Sequence, residues 1–327
     1  SLLMTDVAQP GFLPDFNSVI VDEAHNLVKS AYEQFKTEWS EQNTSYLLQT
    51  VDPSFSRSAR WNNLLHKISE LEPGIGKLRD NLKDAVKHAQ KSLKEFMQAL
   101  SDDNHNRFTP AKAYQDKPIL GRLEKVYAPI TVELYTMKQS LEGVFSLLDK
   151  IRKAVLEMDP SRTDFPVLHS VLDRGLETAS GLMTSLVRLT ENQDHDWVYW
   201  MEGEYRNPNT SKERLTLSLH ASLVDVAEKL NVEFFRRFDH CLLTSATFKV
   251  NNSFDYFLRR IGLDDFDHVR TKDFSSPFLY NEQVTYHQYG GTREISNDPT
   301  MIGELVYHLH KTIGKRMMVL FTSRKAL

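Results

Sequence analysis

The sequence predicts an α/β protein that carries a large all-α insertion. Three observations lead there. Short apolar strands with polar tips occur near the start of the chain, at "SVIV" (18–21), and again at several places after residue 195. Between them, from about residue 30 to 190, apolar residues recur every three and four positions, the spacing of helices with one buried stripe. The 327 residues also exceed the usual single-domain range, so two or three domains are expected.

Each element follows from local chemistry. The turn-forming "QPGFLPDF" precedes "SVIV", which reads as a strand buried in a parallel sheet. Leu82, Val86, Ala89, Leu93, Phe96 and Leu100 form one helical stripe. Ile130, Leu134, Met137, Leu141, Val144, Leu148, Ile151 and Val155 form a second. Leu168, Leu172, Gly175, Ala179, Leu182 and Leu186 form a third. Turn chemistry separates them at "EPG", "SDDNHN" and "MDPSRTDFP", so an antiparallel bundle of long helices is expected. No fixed-period repeat suggests a solenoid. Beyond residue 195, strands are expected at "WVYWME" (197–202), "RLTLSLH" (214–220), "HCLLTSAT" (240–247), "QVTYHQY" (283–289) and "RMMVLFTS" (316–323). The first two flank the turn-rich "GEYRNPNTSKE" and read as a hairpin. Amphipathic helices are expected over "ASLVDVAEKLNVEFFRRF" and "SFDYFLRRIGL", the second closed by Gly262.

Composition narrows the class. The chain is 40% apolar and 26% charged with a formal charge of −4, which argues against a basic coat for nucleic acid but not against local patches. The single cysteine, Cys241, excludes an internal disulfide and any zinc or iron–sulfur site built from cysteines of this chain. It reads as a buried small hydrophobe, and cysteine usage points to a reducing, cytoplasmic compartment. No apolar run reaches the roughly 18 residues of a membrane helix, and the N-terminus has no signal-peptide pattern. It also lacks an initiating Met, as expected of a chain that begins in mid-protein.

The chemistry concentrates at two strand tips. "VIVDEAH" runs an apolar strand into Asp22 and Glu23. In nucleotide hydrolysis the first carboxylate at such a tip can hold Mg²⁺, because a hard cation wants oxygen ligands. The second can orient or deprotonate the attacking water, and His25 can sense a neighbouring strand. The competing reading is a helix start, since acids favour the first turn of a helix. "HCLLTSATF" ends a second apolar strand in Thr244, Ser245, Ala246 and Thr247. Such hydroxyls can link a nucleotide site to a moving partner, or merely cap a helix.

"VIVDEAHNL" followed much later by "LLTSATF" resembles motifs II and III of superfamily 2 helicases, and the details resemble the DinG branch, related to XPD. "FSSPFLYNEQV" is similar to the junction between that family's two motor domains, "GKRMMVLFTSRKAL" to its motif IV, and "DWVYWME" also fits. The resemblance implies a partial RecA-like parallel sheet, with a helical arch domain inserted in the roughly 215 residues between motifs II and III. Residues 1–30 and 193–278 would belong to the first motor domain, 31–192 to the arch, and 279–327 to the start of the second motor domain. Asp22 would hold the Mg²⁺ of Mg-ATP, and Glu23 would be the catalytic base or the residue that positions the water. His25, Thr244, Ser245 and Thr247 would couple hydrolysis to movement on single-stranded DNA and to unwinding of duplex or forked DNA. Thr322 and Ser323 would face the nucleic acid.

The pattern is incomplete. The phosphate-cradling G-x-x-x-x-G-K-[ST] is absent. In "LEPGIGKLRD", Leu71 and Leu78 stand where the first Gly and the Ser/Thr belong, and "TIGKR" fails at Leu309. No arginine-bearing motif VI follows motif IV. The expected reading is the middle of a longer helicase, inactive alone, whose possible iron–sulfur cluster is undecided. A non-catalytic helical module that binds DNA or protein is the rival, and a nuclease a second. Arg79, Lys83, Lys87 and Lys91 make a basic helical stripe that either touches DNA phosphates or faces water. Trp197, Tyr199 and Trp200 suit either base stacking or a half-buried sheet face.

Overall fold

The computed structural model describes residues 3–5, 13–54, 59–104, 108, 119–158, 165–191, 194–206, 214–287 and 299–320. Two compact units divide the chain, Ser1–Val269 and Arg270–Leu327.

Within the first unit, β1 (Ser18–Val21) leads through a 3-10 turn (Ala24–Asn26) into α1 (Leu27–Phe35). There follow β2 (Thr37–Ser40), α2 (Glu41–Val51), α3 (Ala59–Leu71), α4 (Pro73–Asn104), α5 (Leu123–Tyr127), α6 (Thr131–Leu156) and α7 (Phe165–Thr190). The chain returns through the β3 (Trp197–Arg206) and β4 (Arg214–Leu223) pair, α8 (Ala227–Glu233), β5 (His240–Leu243) and α9 (Asp255–Ile261).

The three apolar stripes become α4, α6 and α7, and the aliphatic residues that define the first two are buried throughout. Leu168, Leu172, Ala179, Leu182 and Leu186 of α7 are buried as well. Ion pairs fix the direction of α7 against α6. Lys138 pairs with Glu191 and Arg152 with Asp173, so the two helices run antiparallel. Between α4 and α6 a buried Ser92–Ser140 hydroxyl contact of 2.9 Å satisfies both side chains inside the apolar seam.

The expectation of unbroken helix over 30–190 is corrected at β2. This four-residue strand pairs antiparallel with β4, which pairs antiparallel with β3, giving the order β2-β4-β3. Leu215, Leu217, Leu219 and Ala221 alternate inward along β4 and join Trp39, Tyr199 and Met201 in the helical core. The alternation is that of a sheet with one face packed and one open. On the opposite face, Trp200 stacks on His220 with ring centroids 5.4 Å apart. Of the β3 aromatics, Tyr199 and Tyr205 thus lie in the core with Trp197 packed against it, and Trp200 lies on the outer face.

A separate apolar cluster lies under β1 and β5. It joins Leu27, Ala31 and Phe35 of α1 to Leu230, Phe234, Phe238, Phe257 and Ile261. The strands pair in parallel, Ser18 opposite His240 through Val21 opposite Leu243. They are not buried on both faces as expected. Val19, Val21 and Leu243 pack on the cluster, while Ile20 is 73% and Leu242 55% exposed. Among the described residues, helices cover only one side of this two-stranded sheet. Cys241, which the register places opposite Val19, is an exposed residue rather than a core one, although partial burial still pushes its thiol up to about 11. The helix expected over 221–238 is also shorter. Ala221 to Leu223 extend β4, and the Asp225 carboxylate accepts the Ala227 N–H at 2.9 Å to start α8. Gly262 closes α9 in the left-handed region, φ 73°.

The second unit contains α10 (Tyr280–Gln283) and α11 (Pro299–Ile313). The strands expected at 283–289 and 316–323 do not form among the described residues: Gln283 ends α10, and 284–287 and 316–320 are irregular. A strand needs a ladder partner for its N–H and C=O groups, and no strand is described in this unit. No helix among the described residues is long and apolar enough to cross a membrane.

Candidate active site

The parallel pairing of β1 with β5 brings the two polar strand tips together. Past the last paired residues, Thr244 N–H donates to the Val21 carbonyl and Ala24 N–H to the Thr244 carbonyl, each at 2.9 Å. These bonds carry the ladder one step beyond both strands and straddle Asp22. The Thr244 hydroxyl donates to Asp22 Oδ1 at 2.5 Å, and the Glu23 N–H reaches the same oxygen at 2.9 Å. First the hydroxyl and then the amide hold the Asp22 carboxyl below its ordinary value of 3.8, since both favour the ionised form.

Glu23 sits at φ 49°, ψ 41°, in the left-handed region that a side chain with a Cβ rarely adopts. Such a conformation persists where the surroundings hold it. Here the flanking hydrogen bonds of Ala24 and Thr244 and the burial of Ala24 do so. The acids do precede a helix, but Glu23 stands before a 3-10 turn and makes no side-chain cap.

A second set of contacts runs from Glu23. Its Oε2 lies 3.1 Å from His25 Nδ1, and the same nitrogen lies 2.9 Å from Ser245 Oγ. Ser245 Oγ in turn accepts the Thr247 N–H at 3.2 Å and lies 3.4 Å from Thr247 Oγ1. All six residues Asp22, Glu23, His25, Thr244, Ser245 and Thr247 therefore meet within one tip. Thr322 and Ser323 lie outside the described residues. Lys83 and Lys87 stand exposed on α4, while Arg79 pairs with Asp80 and Lys91 with Glu95 on the same stripe.

The donor set suits Mg²⁺. An exposed ionised carboxylate offers a hard oxygen, and Mg²⁺ commonly takes one or two carboxylates and completes its shell with water and phosphate oxygens. No group of three or more metal-ligating side chains occurs among the described residues, so an all-protein cage is not what this tip provides. One neighbouring feature escaped sequence reasoning. A groove of about 410 Å³ opens beside His25 and Thr247, lined further by Tyr32, Tyr256 and Arg260 from α1 and α9. The signal for it was the four-residue spacing of Val28 with Tyr32 and of Lys29 with Glu33 on α1, the helix after the motif.

The chain matches no known family model. It is 25% identical to the 3'-5' exonuclease DinG of Bacillus subtilis over 349 aligned positions, covering all of this chain and 35% of that protein. It is 26% identical to the ATP-dependent DNA helicase YoaA of Haemophilus influenzae over 197 positions, covering 58% of this chain and 28% of that protein. The chain thus spans about a third of the length of these relatives. The two matches support the DinG-like relationship that the motifs indicate.

Proposed function

We propose that these 327 residues are the central part of a DinG-like ATP-dependent DNA helicase, and that the β1–β5 tip forms one wall of its Mg-ATP site. The observation that carries the proposal is the direct bonding of "DEAH" to "TSAT" residues that stand 222 positions apart. In this reading 1–30 and 193–278 contribute to the first motor domain, 31–192 form an arch insertion, and 279–327 begin the second motor domain. The phosphate cradle and the second motor domain's arginine are assigned to parts of the protein beyond this chain, so the chain alone does not hydrolyse ATP.

Asp22 would hold Mg²⁺, which when bound neutralises charge on the terminal phosphates. Glu23 would accept the proton of the attacking water, with His25 beside it at 3.1 Å to orient its carboxylate. His25, Ser245 and Thr247 would pass the state of the site to the segment leading towards α9. The nucleic-acid partner would be single-stranded DNA translocated from a duplex or fork, with Thr322 and Ser323 at the strand.

The test is DNA-stimulated ATP hydrolysis by the longer protein, wild type beside Glu23→Gln. Loss of at least about 100-fold in turnover with DNA affinity retained is expected for removal of a general base. Unchanged turnover would sink the assignment of Glu23. DNA binding without any turnover in the wild type would favour the rival, a non-catalytic helical module.

A further inference from the structure

The contacts at the tip form two branches that meet on the segment just after β5 but share no side-chain atom. One joins Asp22 to Thr244. The other joins Glu23, His25, Ser245 and Thr247. Thr244 is clamped by its own backbone, as donor to Val21 and acceptor from Ala24. Its hydroxyl therefore reaches Asp22 Oδ1 from a fixed position. The Glu23 N–H falls on the same oxygen. Both donors to this carboxylate thus occupy Oδ1, and among the described residues no donor reaches Oδ2. A carboxylate bonded in this way has its rotamer set and one oxygen left open.

We infer that Thr244 is a positioning residue that grips Asp22 by Oδ1 and so presents Oδ2 to the divalent cation, independently of the His25–Ser245–Thr247 branch. The inference rests on the reading of Asp22 as the cation ligand. It separates Thr244 from its neighbours in "TSAT": one hydroxyl orients a ligand, and the others lie on the path from Glu23. A ligand carboxylate that is itself hydrogen-bonded is the usual arrangement around bound metals, and loss of such a partner weakens binding.

The experiment uses Mn²⁺ alone as the probe, titrated into this chain and read by paramagnetic broadening of the Glu23 and Ala24 backbone amide signals. Thr244→Val keeps the shape and removes the donor; about tenfold weaker Mn²⁺ binding is expected, at the low end for loss of a partner to a metal ligand. Thr244→Ser restores a donor, and Ser245→Ala touches only the other branch, so both are expected within about twofold of wild type on the same scale. Equal binding by wild type and Thr244→Val overturns the inference, as does an equal loss in Ser245→Ala. Should the extra methyl of valine disturb the strand tip, Thr244→Ala against Thr244→Ser makes the same comparison. Asp22→Asn separates the two levels. If broadening persists there, the cation is not held by Asp22 and the inference falls with that reading. If broadening vanishes there while Thr244→Val binds normally, Asp22 stands as the ligand and only the role of Thr244 is wrong.

Discussion

At Glu23 the backbone lies at φ 49°, and a residue with a Cβ held there stores about 1–3 kcal/mol of strain. Glu23→Gly is expected to leave the melting temperature of this chain nearly unchanged, because relief of that strain is offset by the larger unfolded-state entropy of glycine. Glu23→Val is expected to lower stability by about 1–2 kcal/mol, since a branched Cβ tolerates the left-handed region worst. Thermal unfolding of the two variants checks this, and equal stabilities would mean that the backbone relaxes out of that region. Cys241 offers a second residue-scale readout. Its thiol is raised to about 11 by partial burial, so iodoacetamide should alkylate it at pH 8 about 100-fold more slowly than an unfolded cysteine. The sign for stability follows from a folded value above the unfolded one. The contribution is present below about pH 9 and is lost as pH rises towards 11.

Single elements carry their own predictions. Gly262 ends α9 at φ 73°, and an added Cβ would lie 2.2 Å from the Ala227 carbonyl oxygen of α8. Gly262→Ala is therefore expected to destabilise the chain by about 2–3 kcal/mol, read as a lower urea midpoint, because backbone atoms cannot turn aside as a side chain can. On α4 the apolar stripe is buried, and Lys83 and Lys87 stand on the exposed side. Charge reversal at both is expected to leave DNA affinity and its salt slope unchanged, as for a solvated face. A slope reduced by about two would instead place both on phosphates. The short β2 shows why an element can escape its local sequence. "TEWS" has one large apolar residue and no period of its own. It becomes a strand because β4 offers a free ladder edge and Trp39 reaches the helical core from it.

Across the first unit, two hydrophobic clusters divide the work of stability. The larger joins α2 to α7 with the three-stranded sheet, and the smaller lies beneath β1 and β5. Met137→Ala in the first and Phe234→Ala in the second share no cluster, so their destabilisations, about 2–5 kcal/mol each, should add. Amide exchange should be slowest in α4 and α6, the arms of the larger core, and faster in β1 and β5, whose outer face is open to water. Protection highest at β1 would contradict this ordering.

The long helices and their buried stripes were legible from the residues alone, because a 3.6-residue period is a local property that packing only has to accept. So were the residue types at the strand tips, and with them the chemistry available to Asp22, Glu23, His25, Thr244, Ser245 and Thr247. Tertiary structure alone decided that β1 and β5 pair, that β2 joins the returning β3–β4 pair, and that Thr244 grips Asp22 by one oxygen. It alone placed Glu23 in the left-handed region and left Ile20 and Leu242 exposed. Those outcomes depend on hydrogen bonds and covering layers supplied by residues far away in the chain, and no window of local sequence contains them.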